Sequence, residues 1–244
     1  MTTIQFQGAQ GPEVSSPPYK TWTQPIWDLA TDTPIGFEIL SRSDTGTAPT
    51  ALASGDLGPA DAWALEGDLV DLAASTLERL DISGCVFLNC TPSTVADDRL
   101  TERLVSFATR LGIECGTIVV EITEGKSDTE EPMVTRGALR LREAGFRLAV
   151  DDLGADGAGL ARVAAIQPDW VKLDRRLVAQ VDEETLAAKM IEAIAEFGLS
   201  AGIPLIAEGI ERPNQLAVLR SMGLGFGQGY LLGMPRPAAM PLAA

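Results

Sequence analysis

Short apolar segments alternate with amphipathic helical segments along most of this chain, and that alternation restricts the folds open to it. Leucines three or four residues apart predict the first helix over 65–80. Further helices are predicted over 100–111, 134–141, 160–166, 186–197 and 213–222, with Gly112, Gly145, Gly198 and Gly223 as stops. The apolar runs 85–90, 117–123, 147–153, 170–174, 204–210 and 227–232 read as strands. This order predicts a parallel α/β sheet.

The number of units fits a TIM-like (β/α)8 barrel, which takes about 250 residues. An open doubly wound sheet is the alternative, although no glycine-rich phosphate loop opens a first helix. Two extended runs around a polar turn at 31–34 predict a hairpin at the start of the barrel. Residues 1–18, rich in Gln, Gly, Ser and Pro, are expected to form a flexible tail. We find no internal boundary, so residues 19–244 are predicted to form one domain.

Composition excludes several classes of function. The 244 residues carry a formal net charge of −15 and include no histidine. A chain this acidic lacks the basic face that duplex nucleic acid requires. Without imidazole, neither Ser-His-Asp nor Cys-His catalysis is possible within this chain. Three irregularly spaced cysteines fit reduced core residues, and no signal peptide or apolar stretch long enough for a bilayer is visible, so we expect a cytoplasmic protein without a membrane anchor.

Two adjacent acids, Asp151 and Asp152, end an apolar run and precede a glycine. Two such charges about 4 Å apart repel by about 4 kcal/mol at an effective dielectric constant of about 20. They therefore need a proton, a basic partner or a divalent cation in order to share a site. The alternative is that Asp152 simply faces water at the end of its strand.

Other predicted strands also end in polar residues. These residues are Glu38, Asn89, Glu121, Lys172 and Glu208. Individually, Asn89 or Glu121 could cap a turn, and Lys172 could pair with Asp174. Together they predict a polar ring at the C-terminal rim of a barrel, where active sites of such barrels lie.

The ligand types in this ring indicate its chemistry. Carboxylate and amide oxygens without imidazole or thiolate favour hard cations such as Mg²⁺ or Mn²⁺. Several converging acids indicate two ions about 4 Å apart, an arrangement that cleaves phosphodiester bonds. Two carboxylates could also serve a glycosidase, but that chemistry does not require the lysine and the asparagine.

The motifs resemble those of the EAL-domain phosphodiesterases, which hydrolyse cyclic di-GMP, over about residues 19–237. Glu38-Ile39-Leu40 stands where the family has its signature Glu-Ala-Leu. The other matching motifs are Gln24-Pro25-Ile26, Ser41-Arg42, Leu88-Asn89-Cys90-Thr91-Pro92, Glu121-Ile122-Thr123-Glu124, Asp151-Asp152, Lys172-Leu173-Asp174, Ala207-Glu208-Gly209-Ile210-Glu211 and Gln228-Gly229-Tyr230. The resemblance implies a barrel whose first strand runs antiparallel to the others, with cyclic di-GMP as ligand and linear pGpG as product.

The resemblance also implies the ligands of two metal ions, Mg²⁺ or Mn²⁺. Glu38, Asn89, Glu121 and Asp151 would hold one ion. Asp151, as a catalytic residue, would bridge to a second ion that Asp152 also helps to bind.

Further roles are implied for residues around the metals. Lys172 would contact the nucleophilic water, and Glu208 would act as a ligand or as a base through water. Arg42 would hold a phosphate with its guanidinium group. Gln228 and Gln24 would lie beside the second metal or the nucleotide.

The chain departs from the family in the loop after the aspartate pair. The family has Phe-Gly-Thr-Gly and a Tyr-Ser-Ser run there, whereas this chain has Leu-Gly-Ala-Asp-Gly-Ala-Gly over 153–159. Glu124 resembles the residue that anchors this loop, which in the family also shapes a dimer surface, so a homodimer is a possible assembly. Two readings remain open beside an active enzyme: a catalytically impaired cyclic di-GMP receptor and a ligand-independent scaffold.

Overall fold

The computed structural model describes residues 19–49, 52, 57–78, 80, 82–123, 129–154, 159–183 and 185–238. The predicted tail, residues 1–18, lies outside this part of the chain. The strands are β1 (Tyr19–Asp28), β2 (Thr33–Ser43), β3 (Cys85–Cys90), β4 (Ile118–Ile122), β5 (Arg147–Leu153), β6 (Trp170–Leu173), β7 (Leu205–Ala207), β8 (Phe226–Gly227) and β9 (Arg236–Pro237). The helices are α1 (Pro59–Leu77), α2 (Pro92–Ala96), α3 (Leu100–Leu111), α4 (Glu131–Glu143), α5 (Gly159–Ile166), α6 (Arg175–Val178), α7 (Leu186–Ala201) and α8 (Pro213–Ser221).

The strands close into a barrel. From β2 to β8, neighbouring strands pair in parallel in chain order. The first strand, β1, completes the ring by pairing antiparallel with both β2 and β8. The short strand β9 pairs with the other end of β1. The predicted hairpin and barrel with an antiparallel first strand are therefore confirmed, and the open doubly wound sheet is wrong.

Apolar residues fill both the inside of the barrel and the layer between strands and helices. Successive strand residues face opposite sides, so each strand contributes alternately to the two layers. The inner layer contains Phe87, Val119, Ala149 and Ile206, all fully buried. Trp170 packs edge-on against Phe87 at a ring distance of 5.9 Å. We call these four residues, with Trp170 and Phe226 packed against them, the plug. Because the plug fills the interior of the barrel, polar groups lie at the C-terminal rim.

Helix ends follow the predicted glycine stops at some positions. Gly112 ends α3 with φ of 66°, a left-handed conformation that glycine adopts without a Cβ penalty. Gly198, however, lies inside α7, which continues to Gly202 at φ of 69°, so the predicted stop is wrong. The physical reason is packing: a Cβ on Gly198 would lie 2.9 Å from Leu205 Cγ. This glycine allows the helix to approach β7 closely.

Two predicted strands are shorter than expected. The run over 204–210 forms the strand β7 only over Leu205–Ala207. The run predicted over 227–232 is wrong beyond its start, because β8 covers Phe226–Gly227 and a turn follows. Hydrogen bonds from Leu232 and Gly233 to the Gly229 carbonyl close that turn. Among the helices in the described ranges, none combines the length and the apolar character needed to cross a membrane.

Candidate active site

The polar residues at the barrel rim lie directly above the apolar plug because strands have a period of two. Each lies two positions after a residue of the plug, either within its strand or, for Glu208 and Gln228, one residue beyond the strand's end. The pairs are Phe87 and Asn89, Val119 and Glu121, Ala149 and Asp151, Trp170 and Lys172, Ile206 and Glu208, and Phe226 and Gln228. The parallel register, with Asn89 opposite Glu121, brings these side chains to one level.

A single buried lysine stands at the centre of these acids. The Nζ atom of Lys172 lies 2.6 Å from Glu208 Oε1 and 2.9 Å from Glu121 Oε1. It also lies 3.4 Å from Glu38 Oε2 and 3.6 Å from Asp151 Oδ1. We call these four acids the carboxylate ring. Lys172 is 1% exposed, so its contacts form in a region of low dielectric.

Two amides fix the orientation of the Glu38 carboxylate. Asn89 Nδ2 donates to Glu38 Oε1 at 2.7 Å, and Gln228 Nε2 donates to Glu38 Oε2 at 2.8 Å. Asn89 therefore contacts the ring and does not cap a turn. The ion pairs of Lys172 with described residues do not include Asp174. Asp174 instead caps α6, where its carboxylate accepts a hydrogen bond from the Arg176 backbone amide.

A backbone irregularity lets both adjacent aspartates serve one site. The register between β5 and β6 shifts between Val150 and Leu153. Within this shift Asp152 adopts φ of 56°, a left-handed conformation that is uncommon for a residue with a side chain. Its backbone amide donates to Asp151 Oδ1 at 2.9 Å. As a result, one carboxylate oxygen each from Asp151, Asp152 and Glu208 lie within 4.8 Å of one another.

Burial and mutual repulsion change the acidity of the ring. Burial raises the pKa of Glu121 well above its usual value and the pKa of Glu208 to about 8. Burial also raises the pKa of Asp151. Burial opposes ionisation of Glu38 as well, but Lys172 and the two amides outweigh it and lower its pKa. The surrounding acids overcome burial at Lys172 and raise its pKa, which keeps the ammonium charged.

The residues fit divalent cations on their own chemistry. One ammonium group cannot neutralise four ring carboxylates and the neighbouring Asp152, so the excess carboxyl groups must take up protons, as the raised pKa values of Glu121 and Glu208 indicate, or bind cations. Glu121 is fully buried, yet its Oε2 atom has no hydrogen-bond partner among the described residues. The same holds for Gln228 Oε1 within those residues. Buried acceptors without donors are costly, and hard cations satisfy oxygen atoms of this kind.

Other residues with predicted roles lie outside the ring. Gln24 lies on β1, opposite Glu38 of β2, and is buried. Its Nε2 atom donates to the Gly233 carbonyl at 3.0 Å. Arg42 is half-buried near the end of β2 and donates to the Ser41 carbonyl. Their roles toward a nucleotide stay predictions. Glu124 and residues 155–158 of the divergent loop lie outside the described residues.

Two buried charged residues near the rim were not predicted from the sequence. Glu66 on α1 is 6% exposed and accepts from the Thr91 backbone amide at 2.8 Å. Arg162 on α5 is 7% exposed and donates to the Thr123 carbonyl at 2.9 Å. A charged residue on an amphipathic helix ordinarily reads as solvent-facing, so the sequence carries no signal for either contact.

Burial of Glu66 predicts a specific dependence of stability on pH. Its pKa rises from 4.5 to about 7 through burial, so the folded state holds the proton more tightly than the unfolded state. The stabilisation that this proton binding adds to the free energy of unfolding is therefore complete below pH 4.5 and is lost as the pH rises through about 7. Between pH 4.5 and 8 the wild type should lose about 3 kcal/mol relative to Glu66→Gln, which cannot ionise. Urea unfolding of both metal-free proteins measures this difference, and parallel pH profiles would contradict it.

Comparison with known families and proteins agrees with this geometry. The sequence profile described as EAL domain matches residues 15–235. The probable cyclic di-GMP phosphodiesterase PdeA of Escherichia coli is 29% identical over 152 residues, which are 62% of this chain and 21% of PdeA. The cyclic di-GMP phosphodiesterase PdeF of Escherichia coli is 25% identical over 88% of this chain and 29% of PdeF. The chain thus spans less than a third of the length of these two relatives.

Solved structures share the fold. A standalone EAL protein from Vibrio cholerae, crystallised with cyclic di-GMP, has a TM-score of 0.82 at 21% identity, covering 91% of this chain and 94% of that one. BlrP1 from Klebsiella pneumoniae, in a complex with manganese and cyclic di-GMP, also has a TM-score of 0.82, at 24% identity over 93% of this chain and 58% of that one. At such identities these likenesses establish the barrel fold.

Proposed function

The chain belongs to the EAL domain family, and on that basis we propose that it is a metal-dependent phosphodiesterase that hydrolyses cyclic di-GMP to linear pGpG. The observation that carries this proposal is the convergence of Asp151, Asp152 and Glu208 beside Lys172, in a site whose carboxylates, once ionised, outnumber its one positive charge. Two divalent cations, Mg²⁺ or Mn²⁺, balance the excess negative charge. They also let an acidic protein bind a dianionic ligand, because bound cations reverse the local field.

The proposed metal ligands are those that the resemblance to the EAL family implies, and the grouping of Asp151, Asp152 and Glu208 supports a cation at this place. Glu38, Asn89, Glu121 and Asp151 would hold one cation, and Asp151 and Asp152 would hold the second. When bound, the pair supplies Lewis acidity toward a phosphoryl oxygen and lowers the pKa of bound water. The left-handed conformation of Asp152 is what turns its carboxylate toward the oxygens of Asp151.

The remaining site residues handle protons and the substrate. Lys172 is charged and centred in the ring, so it can donate to the attacking water or to a phosphoryl oxygen. Glu208, with a pKa raised to about 8 by burial, can accept a proton near neutral pH or serve as a ligand. Gln228 presents an amide oxygen without a partner among the described residues. We propose that Arg42 binds a phosphate and that Gln24 lies beside the second metal or the nucleotide.

The departure of the loop over 153–159 from the family pattern favours a second candidate, a receptor that binds cyclic di-GMP without cleaving it. This loop follows the aspartate pair directly, so a change there acts first on the second cation. We propose the cytoplasm as the location, in agreement with three free cysteines, and a homodimer as the assembly of this family fold.

Binding and cleavage can be measured separately on the same protein. We expect purified protein with cyclic di-GMP and Mn²⁺ to yield linear pGpG by chromatography, and EDTA to abolish the product. Glu38→Ala is the inactive control. Calorimetric binding without any product would refute the phosphodiesterase and favour the receptor. Neither binding nor product would favour the scaffold.

Asp152→Asn distinguishes the role of the second cation. We expect this variant to lose about a hundredfold or more in turnover, because one ligand of a catalytic metal pair is weakened. Ligand affinity should change by less than about tenfold, since the first cation and its ligands are intact. Steady-state hydrolysis and calorimetric binding measure the two effects. Equal losses in both would contradict a role confined to the second cation.

A further inference from the structure

Two buried ionisable residues, Glu66 and Arg162, lie behind the carboxylate ring without touching it. Burying a charged group is unfavourable unless it is paired and hydrogen-bonded. Each of these groups makes its bonds to the backbone at the end of a strand that carries a ring or amide residue. Their contacts join into one continuous series.

The first half of the series fixes the end of β3. The peptide between Cys90 and Thr91 uses both of its polar groups here. Its N–H donates to Glu66 Oε1 at 2.8 Å, and the Thr91 hydroxyl lies 3.3 Å from Glu66 Oε2. Its C=O accepts from the Thr123 backbone amide at 3.2 Å. A carboxylate on α1 is thereby coupled to the end of β4 through one peptide plane.

The second half fixes the end of β4. Arg162 Nη1 donates to the Thr123 carbonyl at 2.9 Å, and its Nη2 donates to Glu131 Oε1 at 2.5 Å on the first turn of α4. The planar guanidinium group thus holds a strand end and a helix start in one geometry. We call the series Glu66, Cys90–Thr91, Thr123, Arg162 and Glu131 the rim belt.

The position of the rim belt relates it to the metal ligands. Thr91 and Thr123 each follow a proposed ligand by two residues, Asn89 and Glu121 respectively. Asn89 and Glu121 are also paired directly across the sheet. The last backbone hydrogen bond between these two strand ends runs from the Thr123 amide to the Cys90 carbonyl. Glu66 contacts the peptide on the Cys90 side of this bond, and Arg162 contacts the Thr123 carbonyl on the other side. Any spreading of the strand ends would separate the Asn89 amide oxygen from the Glu121 carboxylate.

We propose that Glu66 and Arg162 are positioning residues that set the spacing of Asn89 and Glu121, and through it the affinity for a divalent cation. The inference rests on the proposed function in that Asn89 and Glu121 are its metal ligands. Residues that orient metal ligands from behind typically change metal affinity about 10- to 100-fold when replaced. Since the belt acts through the backbone, we expect the lower end of this range.

The test measures Mn²⁺ binding by calorimetry and by electron paramagnetic resonance, without cyclic di-GMP. Arg162→Met and Glu66→Leu should each weaken Mn²⁺ binding about tenfold. Glu66→Gln, which keeps an oxygen acceptor for the Thr91 amide, should bind Mn²⁺ within about twofold of wild type. Arg162→Lys, which keeps one donor, should fall between Arg162→Met and wild type.

Arg142→Met is the matched control. Arg142 also bridges α4 and α5, but it donates to the carbonyls of Ile166 and Gln167, at the end of α5 remote from the rim. Arg142→Met should lose about as much thermal stability as Arg162→Met while keeping the Mn²⁺ affinity of the wild type. Wild-type affinity in folded Arg162→Met, or equal weakening in Arg142→Met, would overturn this inference alone. A wild-type protein that binds Mn²⁺ but does not cleave cyclic di-GMP would refute the proposed hydrolysis and leave this inference standing. Absence of Mn²⁺ binding to the wild type would overturn both.

Discussion

Replacing Asp151 with asparagine is expected to lower Mn²⁺-dependent hydrolysis of cyclic di-GMP about a thousandfold, because the carboxylate that we propose two cations share is lost. Asp151 lies beside Lys172, at 3.6 Å, and belongs with Asp152 and Glu208 to the cluster of three acids. An asparagine side chain has the same shape but presents one neutral oxygen. Its weaker field cannot hold two ions close together.

The control for this variant is Asp169→Asn. Asp169 lies at the opposite end of the same pair of strands, where its carboxylate accepts from the Leu148 amide at 2.8 Å. The change in formal charge is identical, and asparagine can still accept that bond. Hydrolysis rates at saturating Mn²⁺ compare the two variants. More than about a tenth of wild-type activity in Asp151→Asn would contradict a bridging role.

Replacing Lys172 with methionine is expected to destabilise the metal-free protein strongly. Removing one partner of a buried ionic cluster typically costs about 3–5 kcal/mol, because the remaining charges are left unpaired. For a domain of this size, that corresponds to a fall in Tm of about 10 °C. The four ring carboxylates would then lack their ammonium partner, and each could be neutralised only by a proton or a cation.

Mn²⁺ should restore part of the thermal stability lost in Lys172→Met, because the ring carboxylates of this variant have no ammonium group beside them and a cation can take its place. Thermal unfolding with and without Mn²⁺ measures the gain in each protein. Lys189→Met, at an exposed position on α7, is the matched control and should match the wild type in both conditions. A Lys172→Met protein with the Tm of the wild type, or one whose Tm does not change with Mn²⁺, would contradict the claim that the ring has more carboxylates than Lys172 can neutralise.

The alternation of segments and the number of units predicted a parallel α/β barrel and left an open doubly wound sheet as the alternative, whereas the antiparallel first strand was implied by the family resemblance. The prediction from alternation failed at Gly198, where the absence of a side chain serves packing against Leu205 and not a helix end. The sequence alone does not distinguish these two uses of glycine. The final predicted strand failed because Gly229 accepts the bonds of a turn.

The site could be predicted as far as its strand ends, since period two and parallel register bring such residues together without further information. The left-handed conformation of Asp152 could not be predicted, because an Asp-Asp pair is compatible with an ordinary strand as well. Nor could the contacts of Glu66 and Arg162, which depend on how separate helices pack against the rim. Long-range contacts between side chain and backbone leave no local pattern in a sequence.

The central claim is that the rim holds two divalent cations between the carboxylates. Anomalous scattering from a crystal grown with Mn²⁺ and cyclic di-GMP tests it most directly. We predict two manganese peaks about 4 Å apart, both in contact with Asp151 and one also with Asp152. Absence of manganese at the rim, with Lys172 still bound to Glu121 and Glu208 as it is here, would contradict the claim.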